Sequence, residues 1–83
     1  MSVFFVTFRS VTLAQRGERA LNRGKVSCQM QRTPRWMEEQ GCGYALRIRG
    51  EDAAHAVELL RGNGIQFRKV YRQQGSAVEE AEL

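Results

Sequence analysis

The sequence predicts an α+β domain whose elements run strand, helix, strand, strand, helix, strand. Three observations predict it. The opening segment Val3-Phe4-Phe5-Val6-Thr7-Phe8 is apolar at both parities, two segments carry apolar residues at helical spacing before a glycine, and two others alternate apolar with polar residues.

The opening segment is β-branched and aromatic on both sides, the pattern of a strand covered on both faces and therefore central in its sheet. Ser10 can cap a helix over residues 11–22, with Leu13, Gly17, Ala20 and Leu21 along one face and Gly24 as its stop signal. Val26, Cys28 and Met30 then alternate with Ser27 and Gln29, which gives a second strand with one apolar face. The longest connection, residues 31–41, offers Thr33 as an N-cap and Pro34 as the first residue of one or two helical turns, with Gly41 ending them. In the third strand Tyr44, Leu46 and Ile48 alternate with Ala45, Arg47 and Arg49, so one face is apolar and the other basic. Glu51 or Asp52 opens a second helix with Ala53, Ala56, Val57 and Leu60 inward, closed by Gly62-Asn63-Gly64. A fourth strand is expected over residues 65–71.

The two halves echo each other, since Ala20-Leu21-Asn22-Arg23-Gly24 precedes one strand as Leu59-Leu60-Arg61-Gly62 precedes another. The order is that of a ferredoxin-like βαββαβ sandwich, a split βαβ. Right-handed crossovers give a four-stranded antiparallel sheet with strands one and three in the middle and two helices on one face. The open face is expected to carry one parity of the first strand, either Val3 and Phe5 or Phe4, Val6 and Phe8, beside Arg47, Arg49 and Arg68. Such a face is a surface for a partner or for a homodimer. Residues 1–72 form the domain in this reading, and residues 73–83 an acidic, flexible tail.

A chain of 83 residues has room for one modest core, and 42% hydrophobic with 27% charged residues is the balance of a chain that folds by burial. No basic region precedes the short apolar run at residues 3–6 and no apolar stretch approaches the roughly 20 residues that cross a bilayer. The expectation is a cytoplasmic protein with no membrane partner, whose two cysteines are thiols rather than a disulfide framework. The net charge of +4 favours anionic partners by long-range attraction.

Cys42 is the candidate for chemistry. It lies between Gly41 and Gly43 at the start of a strand, where its sulfur has no bulky neighbour in sequence, and Arg32, Arg35 and Arg47 are near enough in sequence to favour the thiolate. The competing reading is a small hydrophobe packed at a strand start. Cys28 alternates with Val26 and Met30 and reads as core, and a bridge between the two cysteines depends on a register the sequence does not fix. His55 falls on the flank of the second helix, where a solvated surface is its expected environment. One histidine and two cysteines do not make a closed zinc site, and there is neither a glycine-rich phosphate loop nor a Gly-x-Ser-x-Gly turn, so no metal, no cofactor and no hydrolase chemistry is expected. Trp36 and Met37 either seal the connection onto the core or form an apolar lip beside the thiol.

Pro34-Arg35, followed by Gly41-Cys42-Gly43-Tyr44-Ala45-Leu46 and preceded by the opening strand Phe5-Val6-Thr7-Phe8-Arg9-Ser10 and an alanine-bearing helix, resembles the small bacterial selenium/sulfur carrier-like family over roughly residues 3–72. The resemblance implies that Cys42 is the functional thiol and that Pro34, Arg35 and Gly43 shape its loop. The Cys-Pro-x-Pro motif of sulfur-relay proteins is absent. A carrier in this sense is not an enzyme; it needs one accessible, ionisable thiol that accepts a sulfane sulfur or reduced selenium from a donor protein and yields it to an acceptor. Two other readings stand beside it. One is a regulatory module that binds a protein through the open sheet face. The other is a weak RNA-binding module, to which Gly43-Tyr44-Ala45-Leu46-Arg47 bears a faint likeness, but Leu46 stands where a stacking aromatic is wanted and nucleic acid is disfavoured.

Overall fold

The computed structural model describes residues 2–33 and 43–81. In chain order they form β1 (Ser2–Phe8), α1 (Val11–Arg23), β2 (Cys28–Arg32), β3 (Tyr44–Arg49), a short 3₁₀ turn (Gly50–Asp52), α2 (Ala53–Gly62), β4 (Val70–Gln74) and β5 (Ala77–Glu80). The strands make one antiparallel sheet in the order β2-β3-β1-β4-β5, with β1 and β3 inside as the sequence requires. It has five strands, not four. The fifth comes from residues read as tail, and the boundary placed after residue 72 falls inside β4.

The added strand follows from local chemistry. Gly75-Ser76 is a two-residue hairpin loop closed by the Gln74 and Ala77 pair, and Gly75 takes φ 62, a conformation glycine adopts without the penalty a Cβ carries. Across the pair Arg72 bonds Glu79, and the Lys69 ammonium lies 3.5 Å from Glu80. Glu79 and Glu80, which make this segment look like a solvated tail, pair with Arg72 of β4 and with Lys69 just before it.

The helix side of the sheet holds the main core. Phe4, Val6 and Phe8 of β1 meet Leu46 and Ile48 of β3, Ala14 and Leu21 of α1, and Ala53, Ala56, Val57 and Leu60 of α2. Both helices therefore cover one face. Helix α1 starts at Ser10, whose hydroxyl accepts from the Leu13 N–H at 3.2 Å, and it settles close because Gly17 has no side chain: a Cβ there would sit 3.0 Å from Phe8 and 3.2 Å from both Leu46 and Leu60.

Both helices end in the same motif. In α1 the Val26 N–H returns to the Leu21 carbonyl at 2.8 Å and the Lys25 N–H to Asn22; in α2 the Ile65 N–H returns to Leu60 at 2.9 Å and the Gly64 N–H to Arg61. The left-handed position is Gly64 in the second helix, at φ 67, but Lys25 in the first, at φ 63. Gly24 is thus not the left-handed stop expected of it. Its φ is −84, and what it supplies is space, since a Cβ would fall 2.4 Å from Leu59 Cδ1.

The fourth strand also differs from the expectation. Residues 65–69 are irregular, and pairing with β1 becomes regular only at Val70. At Thr7 two residues of the incoming chain face one of β1: the Arg68 N–H donates to the Thr7 carbonyl at 2.8 Å, while the Thr7 N–H donates to Lys69 at 2.9 Å. That is a β-bulge, and the Thr7 hydroxyl completes it by accepting from the Lys69 N–H at 3.1 Å.

Candidate functional site

Thr33 and Gly43 are the last described residues on either side of the β2-β3 connection. The Thr33 N–H donates to the Gly43 carbonyl at 3.0 Å and closes the β2-β3 pair; Gly43 is buried. The Thr33 hydroxyl oxygen is buried with no hydrogen-bond partner among the described residues. Pro34, Arg35, Gly41 and Cys42, together with Trp36, Met37 and the expected short helix, lie outside the described residues.

Arg47 is exposed on the face away from the helices, across from Phe5 on one side and Gln29 on the other. It stands four residues along β3 from Gly43, roughly 13 Å. Arg49, on the same face, pairs with Glu51 at 3.5 Å. Arg68, expected beside them, is at the bulge instead, in a cleft with Arg9 and Arg61.

The expected apolar stripe on that face is Val3 and Phe5, but it is not bare. Phe5 is only 5% exposed and Ala45 0%, in a second cluster bordered by Val3, Tyr71 and Val78. Tyr44, the residue behind the likeness to RNA-binding domains, belongs to the other face: it pairs with Phe8 and packs on the main core.

Cys28 begins β2 opposite Ile48 and packs, half-buried, against the main core. Met30 does the same, so both are partners of the core rather than fully enclosed members of it. Burial, and after it the Glu18 carboxylate, push the Cys28 thiol up to about 11. At neutral pH the sulfur is a thiol, a weak nucleophile. His55 is exposed on α2 and lies 4.0 Å from Glu58. No group of three or more His, Cys, Asp or Glu able to hold a metal occurs among the described residues, and no helix there is long and apolar enough to cross a membrane.

The sequence reading did not anticipate one cluster. Arg9, Arg61, Arg68 and Lys69 come from three separate parts of the chain and line a single cleft of about 780 Å³. The usable signal was the run of residues after the stop of α2, where a bulge rather than a straight strand brings them to Arg9.

The described residues define a small antiparallel α+β domain with one thiol packed on its core, and the sequence carries a second cysteine, between two glycines, just before β3. The family model described as putative Se/S carrier protein-like matches residues 4–72, and the chain belongs to that family. Strand β5 lies beyond the matched residues. No curated protein and no solved structure shows a significant match to the chain.

Proposed function

We propose that the protein is a sulfur or selenium carrier of the reducing cytoplasm, built on a ferredoxin-like βαββαβ core extended by β5, with Cys42 as its working thiol. The observation that carries the assignment to this cysteine is the place of the other one: the chain has two, and Cys28 is packed half-buried against the core side of β2, where burial pushes its thiol up to about 11. Membership of the carrier-like family supports the chemistry.

The transfer balances without an external oxidant. The Cys42 thiolate attacks the terminal sulfur of a donor persulfide, the donor's S–S bond breaks as a new one forms on Cys42, and the donor leaves as a thiolate. A selenium atom bound to a donor sulfur moves in the same way. Delivery is the same exchange run toward an acceptor thiolate. In this reading Pro34 and Arg35 shape and charge the approach and Gly41 and Gly43 leave the sulfur open, while Arg47, exposed further along β3, contributes to the positive surface that a partner meets. Donor and acceptor proteins are the partners. The placement of Tyr44 and Phe5 supports this reading over base stacking on the sheet.

The test is loading from a small-molecule persulfide donor, read by intact mass. Cys28→Ser is expected to take up one sulfur as the wild type does, and Cys42→Ser none while keeping its fold. Undiminished loading of Cys42→Ser contradicts the assignment.

A further inference from the structure

Helix α1 carries its charge on one side. Arg16, Arg19 and Arg23 are exposed and fall three and four residues apart, which sets their Cα atoms in one stripe at steps of about 4.5 and 6 Å along the helix. Glu18, the only acidic residue of the helix, is turned about 100° round the axis from Arg19, toward Cys28, on whose thiol it acts. None of the three arginines has a hydrogen bond or an ion pair among the described residues, whereas Arg49, Lys69 and Arg72 each face a glutamate of their own chain. Like charges three and four apart on a helix repel, and an anionic surface laid along the stripe relieves that repulsion.

Beside the stripe runs a small groove of about 250 Å³, in which the three arginines face Asn63, Gly64 and Ile65, the residues that follow α2. That wall is fixed by its own hydrogen bonds. The Gly64 N–H returns to Arg61 at 3.1 Å, the Ile65 N–H to Leu60 at 2.9 Å, and Asn63 Nδ2 donates to the Leu59 carbonyl at 2.7 Å. Ile65, half-buried against the main core, gives the groove an apolar contact. Among the described residues that line it none is aromatic, so a nucleotide chain would meet cations for its phosphates but no ring on which to stack a base. The groove is smaller than the roughly 300–1,000 Å³ of small-molecule sites, and takes a side chain rather than a whole ligand. A partner helix with acidic residues three and four apart presents its carboxylates at the same steps as these arginines, and a guanidinium meets a carboxylate as a fork on two oxygens.

We propose that the stripe of Arg16, Arg19 and Arg23 is a docking surface for an acidic helical segment of a partner protein, with the partner's carboxylates on the three arginines and an aliphatic side chain against Ile65. Exposed pairs of this kind are individually weak, so the surface steers and orients a transient encounter rather than holding a permanent complex. It does not depend on which cysteine carries sulfur, and its failure leaves that assignment as it stands.

The experiment titrates the full-length protein, followed by backbone amide shifts, with an alanine-based helical peptide carrying glutamates alternately three and four residues apart, with the same peptide carrying glutamines, and with a single-stranded RNA of equal net charge. The glutamate peptide is expected to shift the amides of Arg16, Arg19, Arg23 and Gly64, to bind several-fold more weakly at physiological than at low salt, and to bind where the glutamine peptide does not. Arg16→Gln, Arg19→Gln and Arg23→Gln, whose spectra report their folding directly, should each weaken it about two- to fivefold and together abolish it, while Arg49→Gln, which removes the same charge elsewhere, should leave it unchanged. Shifts confined to other residues, equal affinity for the glutamine peptide, or undiminished binding by the triple variant overturns the proposal. RNA that moves the same amides at lower concentration than the glutamate peptide overturns it in favour of a nucleic-acid surface.

Discussion

The two βαβ halves stop their helices identically and then part. Leu21 and Leu60 accept the same returning hydrogen bond, from Val26 and Ile65, and both leucines are fully buried. After Val26 the chain enters β2 within two residues, and the residue that starts the strand, Cys28, is drawn against the core. After Ile65 it takes five residues to reach β4, and the delay is a bulge that opens a cationic cleft. A shared helix stop fixes where a chain leaves a helix; the register it finds on the sheet decides whether the next residues are buried or presented. In this molecule one exit silences a thiol and the other builds a basic concavity.

If the halves are equivalent at their stops, Leu21→Ala and Leu60→Ala should cost the same, about 2–5 kcal/mol each, because each empties a fully enclosed site at the junction of helix and sheet. Chemical denaturation measures both, and a difference greater than about 2 kcal/mol breaks the equivalence.

The silenced thiol gives a pH test. The folded-state value of Cys28 is raised, so its contribution to stability is complete below the ordinary thiol range, and it is lost as pH climbs toward about 11 because the unfolded chain ionises first. Stability should therefore fall between roughly pH 9 and 11 in the wild type and fall less in Cys28→Ser. Parallel curves for the two proteins contradict the burial of this sulfur. At neutral pH a thiol raised from the ordinary value of 9.0 to about 11 has a thiolate fraction roughly 100-fold lower, so alkylation of Cys28 in the folded protein should be markedly slower than in the unfolded one.

The smallest effects sharpen the difference at the left-handed positions. Gly64→Ala should cost about 1 kcal/mol, since a Cβ is strained at φ 67, whereas Lys25→Gly should gain about 0.5 kcal/mol by removing that strain from the first half. Thermal melts read both, and opposite signs are the expected result.

Much of the architecture was legible because single residues decide it. Ser10 has a hydroxyl and precedes a helical period, so the start of α1 is readable; Ala53, Ala56, Val57 and Leu60 mark the inner face of α2 without ambiguity, and all four are buried. The misreadings share a cause. Ile65, Phe67, Val70 and Tyr71 look like one strand, but the bulge at Thr7 that delays it depends on hydrogen bonds to a residue far earlier in the chain. Glu79 and Glu80 read as tail because their partners, Arg72 and Lys69, are visible only once the hairpin is folded. Of the candidate site, the packing of Cys28 against the core followed from its alternation with Val26 and Met30, whereas Cys42 lies outside the described residues. The cationic cleft did not follow from local pattern, since its four members span residues 9 to 69 and meet only through tertiary structure.

The most direct test of the central claim uses the unmodified chain. Wild-type protein is exposed to a limiting dose of persulfide donor at neutral pH, its remaining thiols are blocked, and the peptides are mapped by mass spectrometry. The added sulfur is expected on Cys42, with Cys28 recovered as a blocked thiol; sulfur divided equally between the two, or carried by Cys28, contradicts the account.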